Sequence, residues 1–185
     1  VFGHPAQRNG YARIGYLMLS RRSQYIFDLT ATLTQKELKS RYKSATFGFL
    51  WMVINPLLQM IVLTFVFSFF LRINIQNYPL YMFSGLLPWM FFSLSIQHGT
   101  SSLIQNRELL RKISFPRELL PVSAVFANLV IFLASLVLLM LFSFVIVGPS
   151  PRIFFLIPLI ILQTALSVGI SLFLSSLEIY YRDVS

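Results

Sequence analysis

The sequence predicts an all-α polytopic membrane protein, and three observations carry that expectation. Hydrophobic side chains fill 56% of the 185 positions and charged ones only 11%, where a soluble domain carries about 25% charged residues. Four stretches hold no Asp, Glu, Lys or Arg: 44–71, 73–106, 119–151 and 153–177, of 28, 34, 33 and 25 residues. Each exceeds the ~20 residues that carry a helix across about 30 Å of hydrocarbon. The charges, finally, gather between these runs rather than within them. The division expected is a tail over 1–22, an amphipathic interfacial helix over 23–43 and a transmembrane domain over 44–185, with spans at about 47–71, 79–102, 119–147 and 153–177.

Residues 1–22 are polar and basic, with Arg8, Arg13, Arg21 and Arg22, and show no sustained periodicity. The run Ile14 to Leu19 is broken by Gly15 and is too short for the apolar region of a cleavable signal. From residue 23 to 43 the pattern turns helical: Ile26, Leu29 and Leu33 share one face while Asp28, Gln35, Lys36 and Lys39 lie elsewhere. With Lys36, Lys39, Arg41 and Lys43 at its end, this segment suits a helix lying beside anionic lipid, or an amphipathic helix packed on protein. The two are compatible.

The spans carry internal marks. Asn55-Pro56 interrupts the first, where Pro removes a backbone bond that the Asn side chain can refill. Gly85-Leu86-Leu87-Pro88-Trp89 in the second predicts a kink or a re-entrant start. The later part of that span, Ser93 to Ser102, is polar and either lines water or packs on another helix. In the fourth span Ser167, Ser171 and Ser175 recur every four residues beside Ala165 and Gly169, a spacing that lets helices approach closely. Trp51 reads as an interfacial anchor; Trp89 and Asn128 read as bundle packing or pathway.

Between the second and third spans lies the charged segment 105–121, QNRELLRKISFPRELLP. A charge at the centre of the bilayer costs roughly 2.5–3.5 kcal/mol or more, so the segment must emerge on one face. Arg107–Phe115 can form a short amphipathic helix that Pro116 ends, with Glu108 and Lys112 as an i,i+4 pair. Leu109, Leu110 and Ile113 then either fill a groove on a soluble partner or belong to a solvated loop that only sets topology. Thirteen of the fifteen Lys and Arg fall on the side shared by this segment and both chain ends; only Arg72 and Arg152 fall opposite. The positive-inside rule therefore places that side in the cytoplasm.

Several function classes drop out. In a soluble protein a net charge of +9 would suggest nucleic acid, but here the basic residues flank apolar spans, so no nucleic acid is expected. Without Cys there is no disulfide or thiolate chemistry. His98 has no nearby carboxylate or second His, so no metal is expected. No Gly-rich phosphate loop is present, so the chain does not hydrolyse nucleotide alone and needs no cofactor of its own. No acid sits within a span, which argues against a proton-coupled carrier. Matching interrupted segments in two halves, the mark of inverted repeats, are also missing. Any transport must draw its energy from outside this chain, and a membrane enzyme is disfavoured.

Five motifs in order then resemble a known family: L-K-S-R-Y-K within KELKSRYKSATFGFLWMVINPLLQ (36–59), the Asn55-Pro56 pair there, G-L-L-P-W within YPLYMFSGLLPWMFF (78–92), K-I-S-F-P-R-E within SLIQNRELLRKISFPRELLPVS (102–123), and Y-R-D-V within EIYYRDVS (178–185). Their combination resembles the membrane permeases of ABC-2-type exporters for bacterial O-antigen, teichoic acid and capsular polysaccharides. The resemblance implies a multi-pass protein of the bacterial cytoplasmic (inner) membrane, a homodimer paired with two copies of an ABC ATPase subunit. It implies that residues 23–43 match the family's amphipathic helix and that a cytoplasmic coupling helix over about 103–116 docks on the ATPase. Arg107, Glu108, Leu110, Arg111, Lys112 and Ile113 are the coupling residues it suggests. Phe47, Trp51, Tyr81 and Trp89 are its candidates for a glycan channel, since sugar rings stack on aromatic faces. The family has six spans; a chain that begins with Val and stops at Ser185 after four is expected to be incomplete and to lack the last two. An ABC-2 exporter of a drug or lipid, and a non-transporting scaffold or passive channel, are the rival readings.

Overall fold

The computed structural model describes residues 24–41, 48–69, 75, 77–112, 115–148 and 151–178, apart from the side chains of Phe49, Lys112 and Arg152. Among them are six α-helices and no strand: α1 (24–41), α2 (Trp51–Phe69), α3 (Tyr78–Gln105), α4 (Arg107–Lys112), α5 (Leu119–Ile146) and α6 (Leu156–Glu178). Four segments among the described residues are long and apolar enough to cross a membrane: α2, α3, α5 and Ile153–Glu178. The protein is thus an all-α polytopic membrane protein. The expected tail over 1–22, Phe47, Arg72, Ile113 and the closing 179–185 lie outside the described residues.

The helix starts follow from local chemistry. Gly48 takes φ +51°, a left-handed value that a side chain disfavours, in the 3-10 turn Gly48–Leu50 that leads into α2. Asn77 takes φ 55°, and its carbonyl accepts from the Leu80 and Tyr81 N–H groups at 3.0 and 3.2 Å. Pro79 falls in the first turn of α3, where its missing N–H is not needed. From there α3 runs through Gly85 and Pro88 as one helix of 28 residues. The re-entrant start that Gly85–Trp89 allowed does not form. The Gln163 amide nitrogen of α6 donates to the Pro88 carbonyl at 2.7 Å, holding that turn from outside the helix. Asn55, exposed beside buried Pro56, makes no side-chain hydrogen bond among the described residues.

Helix lengths decide what projects. At 1.5 Å per residue, the 19 residues of α2 cover about 28 Å and the 28 residues of α3 or α5 about 42 Å. The hydrocarbon is about 30 Å thick, so α3 and α5 each have about 12 Å to spare. The surplus lies at the end carrying α4. Met52, at the start of α2, shares a buried cluster with Ala127 and Leu38, so the α5 turns from Leu119 to Phe126 reach beyond the start of α2. α1 packs on these projecting turns.

Within the bundle α3 is central, packed against α2, α5 and α6. Phe83, Leu87 and Phe91 of α3 interlock with Val125, Phe132 and Leu136 of α5, and Phe91 stacks on Phe132 with ring centres 5.1 Å apart. α6 runs parallel to α3, because Gln163 meets Pro88 and Ser171 meets Ser95, both pairs advancing together. The expected small-residue stripe is the contact: Ser167, Ser171 and Ser175 are buried, and the Ser171 hydroxyl donates to the Ser95 carbonyl at 3.1 Å. Ala165 and Gly169, expected beside them, lie on the exposed side of α6. The small partner is instead Gly99, where an added Cβ would stand 2.6 Å from the Ser171 Cβ. A clash with a fixed Cβ cannot relax by rotamer change. Gly99→Ala is therefore expected to destabilise by roughly 1–3 kcal/mol, and Ser171→Gly in that background to recover most of the loss. Thermal unfolding of the detergent-solubilised variants measures both.

Candidate functional site

The candidate site is the projecting end, where α1, the last turns of α3, α4 and the first turns of α5 meet. α1 forms there because its apolar residues fall on one face. Leu33 is buried with Leu103, Leu119 and Leu120, and Ile26 and Leu29 pack against the same cluster. One helical step further, buried Leu38 reaches Met52 and Ala127. Between Leu33 and Arg41, α1 advances about 12 Å, while its contacts on α5 move from Leu119 to Asn128, about 13.5 Å. Equal advances mean that α1 runs alongside α5 rather than across it.

Polar contacts lock this register. The Thr34 hydroxyl reaches the Ser123 carbonyl at 3.4 Å, and the Lys36 ammonium donates to the Asn106 Oδ1 at 2.8 Å. Asn106 is the single residue between α3 and α4, and its Nδ2 donates back to the Ser102 carbonyl at 2.9 Å. A cation on α1 thus fixes the joint from which α4 springs. Deeper in, the Arg41 Nη1 donates to the Asn128 Oδ1 at 2.7 Å, and its Nη2 pairs with Glu37 at 3.3 Å. Asn128, 3% exposed, spends its other amide group on the Leu94 carbonyl at 3.2 Å. Its Oδ1 also faces the His98 Nδ1 at 3.3 Å. Since that oxygen has no hydrogen, Nδ1 must be the protonated ring nitrogen for the contact to be a bond. One buried amide therefore ties α1, α3 and α5 together. Arg41, His98, Asn128 and Asn55 border a cavity of about 200 Å³ that reaches Met52 and Pro56 on α2.

α4 sorts the charged segment into two faces. Arg107, Glu108 and Arg111 are exposed, whereas Leu109 and Leu110 are half-buried and pack with Phe115 on the Leu33 cluster. The apolar side of α4 thus packs on the cluster shared by α1, α3 and α5, while Arg107, Glu108 and Arg111 stay exposed. Lys112 closes the helix, but its side chain lies outside the described residues, as does Ile113. The channel candidates are distributed along the bundle. Trp51 is exposed at the start of α2; Tyr81 and Trp89 are each 66% exposed on α3, two turns apart. Trp89 leans on Phe92 and Tyr81 on Tyr78, with ring centres 6.4 and 6.5 Å apart. Phe47 is outside the described residues.

Sequence reasoning missed the joint action of Lys36, Arg41, Asn106 and Asn128. The available signal was Asn128 itself, an amide in the most apolar of the four spans, with mean hydropathy 3.0. Such a group at that depth calls for a partner.

The family model for ABC-2 type transporters matches residues 28–185. This chain belongs to the ABC-2 type transporter family. Among its relatives is the O-antigen export system permease protein RfbA of Klebsiella pneumoniae, 38% identical over 163 residues, covering 86% of this chain and 62% of the relative. A protein of the same name from Myxococcus xanthus is 36% identical over 157 residues, covering 84% and 60%. The capsule polysaccharide export inner-membrane protein CtrC of Neisseria meningitidis is more distant, at 25% over 158 residues, covering 81% and 58%. The chain thus spans about three-fifths of the length of the permeases it matches. In this ABC-2 chain the match includes the Arg41–Asn128 network, α4 and the serine face of α6.

Asn128→Ala would leave the Arg41 guanidinium without its acceptor and the Leu94 carbonyl without its donor. A loss of roughly 1–3 kcal/mol is expected, with easier proteolysis of α1. Ser135→Ala, which removes only a bond to Ile131 in its own helix, should cost far less. Arg41→Lys should behave like a loss, because a single ammonium cannot serve Asn128 and Glu37 in the forked geometry. Thermal melts and limited proteolysis in detergent compare the three.

Proposed function

We propose that this chain is the transmembrane part of an ATP-driven exporter that moves an O-antigen-type polysaccharide across the cytoplasmic membrane. The carrying observation is the 36–38% identity to O-antigen export permeases over about 85% of the chain. The distance of the capsule export relative favours O-antigen over capsule as cargo. A teichoic acid, drug or lipid cargo has no comparable support. On this reading the end bearing α1 and α4 faces the cytoplasm, as the Lys and Arg distribution favours. Two copies of the permease pair with two copies of a separate ABC ATPase, which supplies the energy this chain has no phosphate loop to harvest.

The mechanism rests on α4. Its exposed Arg107, Glu108 and Arg111 are the groups a soluble ATPase would grip. Its leucine face packs on the cluster that joins Leu33 of α1 to the ends of α3 and α5, so a push on α4 is passed to α1 through that cluster. Because Lys36 holds Asn106 and Arg41 holds Asn128, that push is delivered together to the ends of α3 and α5. ATP-driven closure of the two ATPases would then shift these helices relative to α2 and α6 and change access to the polymer's path. Leu110 serves as the inner anchor of this lever.

Arg107→Glu combined with Arg111→Glu should weaken ATPase association by about 2–5 kcal/mol, the cost of disrupting close charge pairs, and abolish surface O-antigen. Membrane insertion should be unaffected, because both residues are exposed in water. Copurification from native membranes, with immunoblotting for insertion and staining of surface polysaccharide, reads all three. Undiminished copurification would remove α4 from the docking role.

A further inference from the structure

One apolar surface of the projecting end lacks cover among the described residues. α1 runs alongside the first half of α5, and between them lies a groove of about 840 Å³. At 1.5 Å per residue it extends about 18 Å along α1, from Ile26 to Leu38, and about 21 Å along α5, from Leu119 to Leu133. Phe27, Phe126, Val130 and Leu133 are exposed along it, and no charged residue lines it among those described. Contiguous exposed apolar surface of this kind marks a contact.

Two observations say what kind of molecule fits. The first is depth. Met52 at the start of α2 meets Ala127, so the turns of α5 up to Phe126 stand beyond that start. Hydrocarbon can cover the lower end, at Val130 and Leu133. The upper end, where Phe27 is 74% exposed, lies outside it. The second is the polarity of the α1 wall, which includes Thr30, Thr32, Thr34 and Gln35. The three hydroxyls donate to the carbonyls of Ile26, Asp28 and Ser123, which leaves each oxygen able to accept. The Gln35 amide makes no side-chain hydrogen bond among the described residues. An acyl chain cannot use these groups, whereas the N–H and C=O groups of a polypeptide can.

The chain itself holds a segment of matching chemistry. Residues 14–19, IGYLML, carry no charge inside a stretch that is otherwise polar and basic. Ser20, Arg21, Arg22 and Ser23 join this run to Gln24, the first residue of α1, three residues from Phe27 at the upper end of the groove. Four residues suffice for one β-turn, and six extended residues cover about 20 Å, the length of the groove. We infer that Ile14–Leu19 folds back along α1 and lies in the groove between α1 and α5, an internal strap that pins α1 to the projecting turns. A tether this short holds the run at an effective concentration on the order of millimolar, an advantage that no separate partner shares. Two apolar surfaces leave water together, and Arg21 and Arg22 stay in the turn, outside the groove. The inference needs neither the export reading nor any particular cargo.

The protein has no Cys, so cysteine pairs report contact without background. The strap enters at the Phe27 end, which sets Met18 near Val122 and Gly15 near Val130. A disulfide needs Cα atoms within about 7 Å, so mild oxidation in native membranes of Met18→Cys with Val122→Cys, and of Gly15→Cys with Val130→Cys, should give about fivefold or more the intrachain bond formed by Met18→Cys with Leu162→Cys. Leu162 is exposed on α6, away from the groove. Mass spectrometry of the unreduced digest reads each bond. A separate variant, Ile14→Ser with Leu17→Ser, Met18→Ser and Leu19→Ser, alters the strap alone. In it a single Val122→Cys should react with a water-soluble maleimide about threefold or more faster, because access limits a shielded thiol. Pair yields no higher than the control, or a Val122→Cys rate indifferent to the strap, would overturn the inference. Disulfides joining two differently tagged chains would overturn it too, by giving the groove to a second copy.

Discussion

The governing constraint is that a charged segment placed between two apolar spans cannot enter hydrocarbon. α3 and α5 are each about 12 Å longer than the hydrocarbon is thick, and the surplus lifts α4 clear of the lipid. Two projecting helix ends with apolar residues such as Leu103, Leu119 and Leu120 need cover, and α1 supplies it. The amphipathic helix, the charged helix and the span ends are thus parts of one structural solution. Remove the cover and the leucines meet water. Shorten the spans and the charges meet lipid.

Two kinds of contact hold the cover in place. The apolar contact through Leu33 and Leu38 is broad and sets no register by itself. Register comes from Lys36 on Asn106 and Arg41 on Asn128, each a cation on α1 meeting an amide of the bundle. Asn106 is the joint of α4 and Asn128 is the buried tie of α5 to α3, so α1 grips both ends of the lever. The interior face of α6 uses a different device, in which serines and a glycine allow close approach between helices 3 and 6.

Much of this was legible in the sequence. The four spans were, because about 20 uncharged apolar residues have no common soluble explanation. The charged segment was, because lipid excludes it. The serine spacing on α6 was, since Ser167, Ser171 and Ser175 share a face; Ala165 and Gly169 were misjudged because the small partner, Gly99, lies some 70 residues away on another helix. Gly85 and Pro88 carry local signals for a kink or a re-entrant start; α3 runs through both as one helix, with the Gln163 amide bonded to the Pro88 carbonyl. The apolar face of α1 was readable from Ile26, Leu29 and Leu33, but its partner was not: lipid and protein reward the same periodicity. Arg41 and Lys36 counted only as topology charges, since nothing in their neighbourhood points to amides 70 and 87 residues distant.

The central claim of the proposed export mechanism is that α1 and α4 move as one body when a partner ATPase closes. Spin labels at exposed Gln35 on α1 and Glu108 on α4, with the Cys-free background making both sites unique, allow their separation to be read by pulsed electron resonance in the ATP-free and ATP-trapped transporter. A single narrow distance, the same in both states, is the expected result. A change of a helical turn, about 5.4 Å, or more would contradict it by showing that α4 works free of its cover.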